Sequence, residues 1–141
     1  MTIVILDTNV ISEAMRGSAG NVSVVAWLQA LPALPVTTVV NRAEILAGIA
    51  LLAPGRRREE LHAAAEAAFD GLGVCLPLTS VAAGHYAEIV ARRRRVGRPI
   101  GGMDALIAAI ARQNGATLAT RDTDGFADLG VELVDPWAYR P

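Results

Sequence analysis

The sequence predicts an α/β fold, a parallel sheet with helices on both faces. Short β-branched runs, each too short for a helix, alternate with longer stretches whose apolar residues recur at helical spacing. The segments between them are brief, as in a sheet wound by successive strand–helix units. Two of the strand-like runs lead into acidic residues, and the carboxyl ends of its strands are where such a sheet carries a polar site.

The first run, residues 3–6, stops at Asp7 and is the candidate central strand. After Asp7-Thr8-Asn9 a short helix is expected over residues 10–16. Asn21 caps a second, running to about residue 31, with Val24, Val25, Trp27 and Leu28 available for burial. Pro32 and Pro35 break the pattern, and residues 36–39 make the next strand. Asn41, Glu44, Ile45, Gly48, Leu51 and Leu52 then recur at helical spacing up to Pro54-Gly55, which places Glu44 one or two turns into a helix that leaves a strand end. Residues 56–69 form an amphipathic helix and residues 74–76 a brief strand. Thr79 caps a long helix over residues 81–95 whose carboxyl end is basic. A glycine-rich loop, residues 97–102, leads to the helix that Asp104 opens. Its apolar face is Leu106, Ile107, Ile110 and Ala111, and Asn114-Gly115 ends it. Residues 117–119 and 132–134 are the last two strands, and no repeat, linker or low-complexity tail interrupts the series.

The chain, residues 1–141, has the length of one domain with a substantial core. Its longest apolar stretches, such as residues 47–53, fall well short of the roughly 20 residues that a bilayer crossing needs. The amino-terminal apolar run has no basic flank and ends at an acid after four residues, unlike a signal peptide, so a cytoplasmic location is expected. Cys75 is the only cysteine and reads as a small buried apolar residue. A net charge of −1 leaves any nucleic-acid affinity to local patches or to a partner. The chain contains no lysine, which excludes a Walker A phosphate loop, a Schiff-base lysine and a phosphoacceptor site that needs one.

Asp7, Glu44, Asp104 and Asp122 are the candidate site. Asp7 and Asp122 follow strands, and Glu44 and Asp104 lie near the amino ends of helices that point toward the same sheet edge. Two bare carboxylates 4 Å apart repel by about 4 kcal/mol at an effective dielectric near 20, a cost that a divalent cation removes. No histidine falls in these motifs, and an oxygen-only site suits Mg²⁺ or Mn²⁺ rather than zinc. Each acid also has a bland reading. Asp7 serves as an Asx cap, Asp104 complements a helix dipole, and Asp122, with Asp124 as an understudy, belongs to a surface turn. Glu44, flanked by Ala43, Ile45 and Leu46, needs a buried partner or an opening.

At these residues the chain resembles the PIN domain and, within it, the VapC toxins of type II toxin–antitoxin pairs, on the FitB-like branch. Leu-Asp-Thr-Asn-Val-Ile-Ser-Glu, Ala-Glu-Ile-Leu-Ala-Gly, Asp-Ala-Leu-Ile-Ala-Ala-Ile-Ala and Leu-Ala-Thr-Arg-Asp-Thr-Asp-Gly-Phe occur in family order along the full length. The resemblance implies a PIN-like three-layer fold with a five-stranded parallel sheet. It also implies a Mg²⁺-dependent endoribonuclease acting on RNA of the tRNA or rRNA class. Catalytic metal-site roles then fall on Asp7, Glu44, Asp104 and Asp122. It implies further a homodimer silenced by a cognate VapB-like antitoxin that inserts a carboxyl-terminal segment at the acidic site, with operator DNA reached only through that antitoxin. Asn9 is expected to orient Asp7, Thr120 to hydrogen-bond within the site, and Asp124 to support it. The chain departs from the family's usage at Asn41, where Ser or Thr is frequent, and at Met103, where a small residue is.

Among the arginines, Arg98 in the glycine-rich loop is the first candidate for contact with an RNA backbone. Residues 92–95 cannot share one helix face, and arginines at a helix carboxyl end suit the dipole without any ligand. His62 and His85 are isolated and read as surface or core-edge residues. A rival of another class is an antitoxin-dependent DNA-binding co-repressor whose acidic pocket clamps a partner's arginine. An aspartate-nucleophile phosphatase is the remotest reading, because Asp7-Thr8-Asn9 lacks the second aspartate such enzymes use.

Overall fold

The computed structural model describes residues 2–141. The strands are β1 (Val4–Leu6), β2 (Thr37–Thr38), β3 (Cys75–Leu76), β4 (Thr117–Ala119) and β5 (Glu132–Val134). The helices are α1 (Thr8–Ala14), α2 (Val22–Ala30), α3 (Val39–Ala50), α4 (Arg56–Asp70), α5 (Ser80–Arg95) and α6 (Gly102–Gln113). Single 3-10 turns lie at Gly17–Ala19 and Pro136–Ala138. The expected caps at Asn21 and Thr79 form, each side chain accepting amides of the first helical turn. The first helix starts at Thr8, earlier than expected, because the Asp7 carboxylate takes the Thr8 N–H at 2.9 Å and begins the helix there.

The sheet departs from the expected five-stranded one. A three-stranded parallel sheet runs in the order β1-β4-β5, and β2 and β3 form a separate parallel pair. One bridge, between Ile5 and Val36, links them: Val36 donates to Val4 O at 2.8 Å and Leu6 donates to Val36 O at 2.9 Å. Local chemistry keeps β2 short. Pro35, just before it, has no N–H to donate, and the Thr38 hydroxyl accepts the Asn41 amide at 3.1 Å, capping α3 so that the chain turns helical at Val39.

Helices cover both faces, as the strand alternation requires. Ile5 and Leu118 point to one face, where they pack with Ala82 and Ile89 of α5 and with Ile107 and Ile110 of α6. Leu6 and Ala119 point to the other, into a cluster with Val10 and Ile11 of α1, Val24 and Trp27 of α2, Ile45 and Ile49 of α3, and Ala65 and Phe69 of α4. Trp27 and Phe69 are thus core residues, whereas Leu51 is 87% exposed. Cys75, expected to be buried, is exposed: in the pleat of β3 it is Leu76 that faces inward. Among the described residues no helix is long and apolar enough to cross a membrane.

Candidate functional site

β1 pairs with β4 on one side and bridges to the Val36 segment on the other, so its carboxyl end lies where the connections diverge. Asp7 stands at that point, its own N–H on Ala119 O at 2.9 Å and its side chain only 5% exposed. A carboxylate so buried requires donors. Oδ1 accepts from the Thr8 N–H at 2.9 Å and from Asn41 Nδ2 at 3.1 Å, and Oδ2 accepts from the Thr120 hydroxyl at 2.7 Å.

Glu44 lies on α3 three residues after Asn41, a spacing that puts both on one helix face. Its Oε1 accepts from the Thr8 hydroxyl at 2.8 Å, and that hydroxyl accepts from Asn41 Nδ2 at 3.1 Å. Asn41 is fully buried and is itself fixed, its Oδ1 taking the Thr38 hydroxyl at 2.6 Å. A continuous chain of hydrogen bonds therefore runs from Thr38 through Asn41 and Thr8 to Glu44, with Asp7 on a branch.

Asp104 lies in the first turn of α6, partly buried. Burial pushes its carboxyl above the ordinary carboxylate range, and the negative charges of Asp7, Glu44 and Asp122 push it in the same direction. Thus all four predicted acids share one electrostatic patch. Asp122 forms the exposed rim, its N–H on the Thr120 hydroxyl at 3.1 Å and its Oδ1 accepting the Gly125 N–H at 3.1 Å. Gly125 leaves room for this approach: a Cβ there would displace the Asp122 carboxylate from its present position. Among the described residues, no three His, Cys, Asp or Glu side chains stand close enough, as they lie, to enclose a metal ion.

The supporting residues divide. Thr120, fully buried, joins two of the acids by donating to Asp7 and accepting from the Asp122 N–H. Asn9, expected to orient Asp7, makes no direct hydrogen bond to it and reaches it through Thr120. Its Nδ2 donates to Thr120 at 3.3 Å and its Oδ1 accepts the Arg121 N–H at 3.3 Å, so it braces the end of β4. Asp124 takes part through its backbone carbonyl, which accepts from Arg98 Nη2 at 3.2 Å. Sequence reasoning passed over Thr8, Thr38 and Arg93. The first two carried a usable signal, being hydroxyl residues immediately after Asp7 and three residues before Asn41.

Thr120→Val keeps the shape of the side chain and removes the hydroxyl. It is expected to cost about 2 kcal/mol, since a hydrogen bond to a buried carboxylate is lost and Asn9 and Asp122 lose their acceptor. Urea denaturation checks this; an unchanged midpoint would show that water replaces the hydroxyl without penalty.

Residues 4–132 match the PIN domain family. Toxin FitB of Neisseria gonorrhoeae is 38% identical over 138 residues, which cover 96% of this chain and 99% of that protein. VapC ribonuclease Y4jK of Sinorhizobium fredii is 33% identical over 138 residues, covering 96% and 98%. A solved structure of FitAB bound to an IR36 DNA fragment superimposes with a TM-score of 0.84 at 36% identity, covering 99% of each chain.

Proposed function

The chain belongs to the PIN domain family, and on that premise we propose that it is the toxin of a type II toxin–antitoxin pair: an endoribonuclease that hydrolyses RNA phosphodiester bonds with a divalent cation held by Asp7, Glu44, Asp104 and Asp122. The observation that carries this reading is the gathering of the acids at one sheet edge: Thr8 and Asn41 link Glu44 to Asp7, and Thr120 links Asp7 to Asp122. Asp104, partly buried at the start of α6, lies within the field of all three. A fold gains nothing in stability from such an arrangement, and a cation would reverse its cost.

The donor set fits Mg²⁺ or Mn²⁺ in its chemistry, being all oxygen, although the side chains must close further to enclose an ion. Such an ion supplies polarisation of the phosphodiester and a lowered pKa for the attacking water. The chain's own residues do the rest. Three donors hold Asp7 in one orientation, and the Thr8 hydroxyl aims Glu44. Asp104, partly buried and repelled by the other acids, gains from neutralisation, and Asp122 is exposed at the edge of the patch.

RNA as the substrate class is supported by the ribonuclease relative, and an antitoxin partner by the FitAB complex. The tRNA or rRNA class, the homodimer, the cytoplasmic location and entry of an antitoxin segment at the acidic patch belong to the same proposal. The DNA in that complex favours a second reading, the antitoxin-dependent co-repressor whose acidic pocket binds a partner arginine. One experiment separates the two: antitoxin-free protein incubated with labelled structured RNA, with and without Mg²⁺ or Mn²⁺, beside an Asp7→Asn variant. Metal-dependent cleavage that falls at least about 100-fold in the variant is expected. Intact RNA from folded protein on total tRNA and rRNA, with partner binding weakened by Asp7→Asn, would favour the co-repressor instead.

A further inference from the structure

Arg93 lies in the last turn of α5 among Arg92, Arg94 and Arg95, yet it alone of the four is buried, at 4% exposure. No carboxylate pairs with it: the ion pairs among the described residues are Arg16–Glu13 and Arg112–Glu88. Its guanidinium ends on three backbone carbonyls. Nη2 donates to Gly125 O at 2.7 Å and to Ala127 O at 3.0 Å, and Nη1 donates to Arg98 O at 3.4 Å. A guanidinium buried without a counterion is costly, so attraction to the helix dipole does not explain it.

The three carbonyls belong to the two loops that flank the acidic patch. Gly125 and Ala127 lie in the turn that begins at Asp122, and Arg98 lies in the loop that runs into α6 and Asp104. The same loops are tied once more, Arg98 Nη2 donating to Asp124 O at 3.2 Å, while the Arg98 N–H donates to Arg93 O at 2.9 Å and fixes its loop to the end of α5. Arginine suits this task because its planar fork carries several donors in fixed directions, whereas a lysine ammonium is a single compact point on a flexible stem. Gly125 extends the brace to the carboxylate itself, since its N–H holds Asp122 Oδ1 while its carbonyl is held by Arg93.

We propose that Arg93 is a positioning residue, bracing the loop that delivers Asp104 against the turn that carries Asp122 and so setting the separation of those two carboxylates. This rests on the metal-site reading above. It also explains why one member of an arginine run turns inward at the cost of burial.

The test is Mn²⁺ binding to the full chain without RNA, followed by the loss of the free-ion paramagnetic resonance signal, in wild type, Arg93→Lys and Arg98→Ala, with circular dichroism as the check on folding. The dissociation constant is expected to rise about tenfold in Arg93→Lys, the scale seen when residues that orient metal ligands are replaced. It should rise by a smaller factor in Arg98→Ala. At saturating Mn²⁺, kcat on RNA falls in Arg93→Lys while KM for RNA is unchanged. Unaltered Mn²⁺ affinity in the folded variants would overturn the proposal. Arg98→Ala removes only the Nη2 tie to Asp124 O and keeps the carbonyl that Arg93 holds, so Arg93→Gln, which retains a planar donor, is the deciding variant if Arg93→Lys fails to fold. A wild-type chain that binds no Mn²⁺ refutes the metal site itself, and the brace falls with it.

Discussion

Asp104→Asn is expected to abolish RNA cleavage and, in the same protein, to raise stability at neutral pH. The two effects share one cause. In the folded chain the Asp104 carboxyl is held above its ordinary range by burial and by the charges of Asp7, Glu44 and Asp122, while in the unfolded chain it titrates near the ordinary value of about 3.9. Between those two values the unfolded chain has released a proton that the folded chain retains, so stability falls as pH rises through that window. Above the raised folded value the penalty is complete; below the ordinary carboxylate value it is absent. The amide variant escapes the penalty, so its melting temperature should exceed that of wild type at pH 7 and converge with it near pH 3.5. Millimolar Mn²⁺ should raise the melting temperature of wild type and leave that of the variant nearly unchanged, since an ion stabilises only a state that binds it. An equal melting temperature at pH 7 without metal would mean that Asp104 is not under strain from the other acids. Equal cleavage would remove it from the reaction.

That strain is also why the four acids were legible in the sequence while the residues that hold them were only partly so. An acid at the end of an apolar run, or inside an apolar helix face as Glu44 is, stands out because the local pattern gives no reason for it. Strand and helix order was legible for the same reason, as periodicity is local. The partners of the acids are set by long-range pairing. Thr8 meets Glu44, 36 positions away, and Thr120 meets Asp7, 113 positions away. Nothing in the composition of either segment announces those contacts. Arg93 is the sharpest case, since within a run of four identical side chains only the packing of α5 against the 122–127 turn decides which is buried. The sheet misled in a related way. A β-branched segment at residues 36–39 reads as a strand by pattern, but the cap that Thr38 makes to Asn41 converts its end to helix.

Asn41→Ala is the substitution expected to cost the fold most among the residues around the acids, about 3 kcal/mol. The side chain is fully buried and makes three hydrogen bonds, accepting from Thr38 and donating to Asp7 and Thr8. Alanine leaves the Thr38 hydroxyl without its acceptor, removes one of the three donors to a buried carboxylate, and opens a space where three heavy atoms had been. Each loss is of the kind that buried polar networks tolerate poorly, because the partners left behind have no water to turn to. For a chain of this length the shift corresponds to a fall of about 10 °C in melting temperature. Asn41→Ser, which keeps one hydroxyl on a shorter arm, should recover part of it. Asn41→Asp, the same shape with a charge, should not, since it sets another carboxylate beside Asp7 and turns a donor into an acceptor. The comparison of Asp with Ala is the informative one. If Asn41→Asp is as stable as wild type without metal, the donor role of Asn41 toward Asp7 is wrong. If it is as damaging as alanine despite filling the space, then hydrogen-bond direction, rather than volume, is what Asn41 contributes to the end of β1.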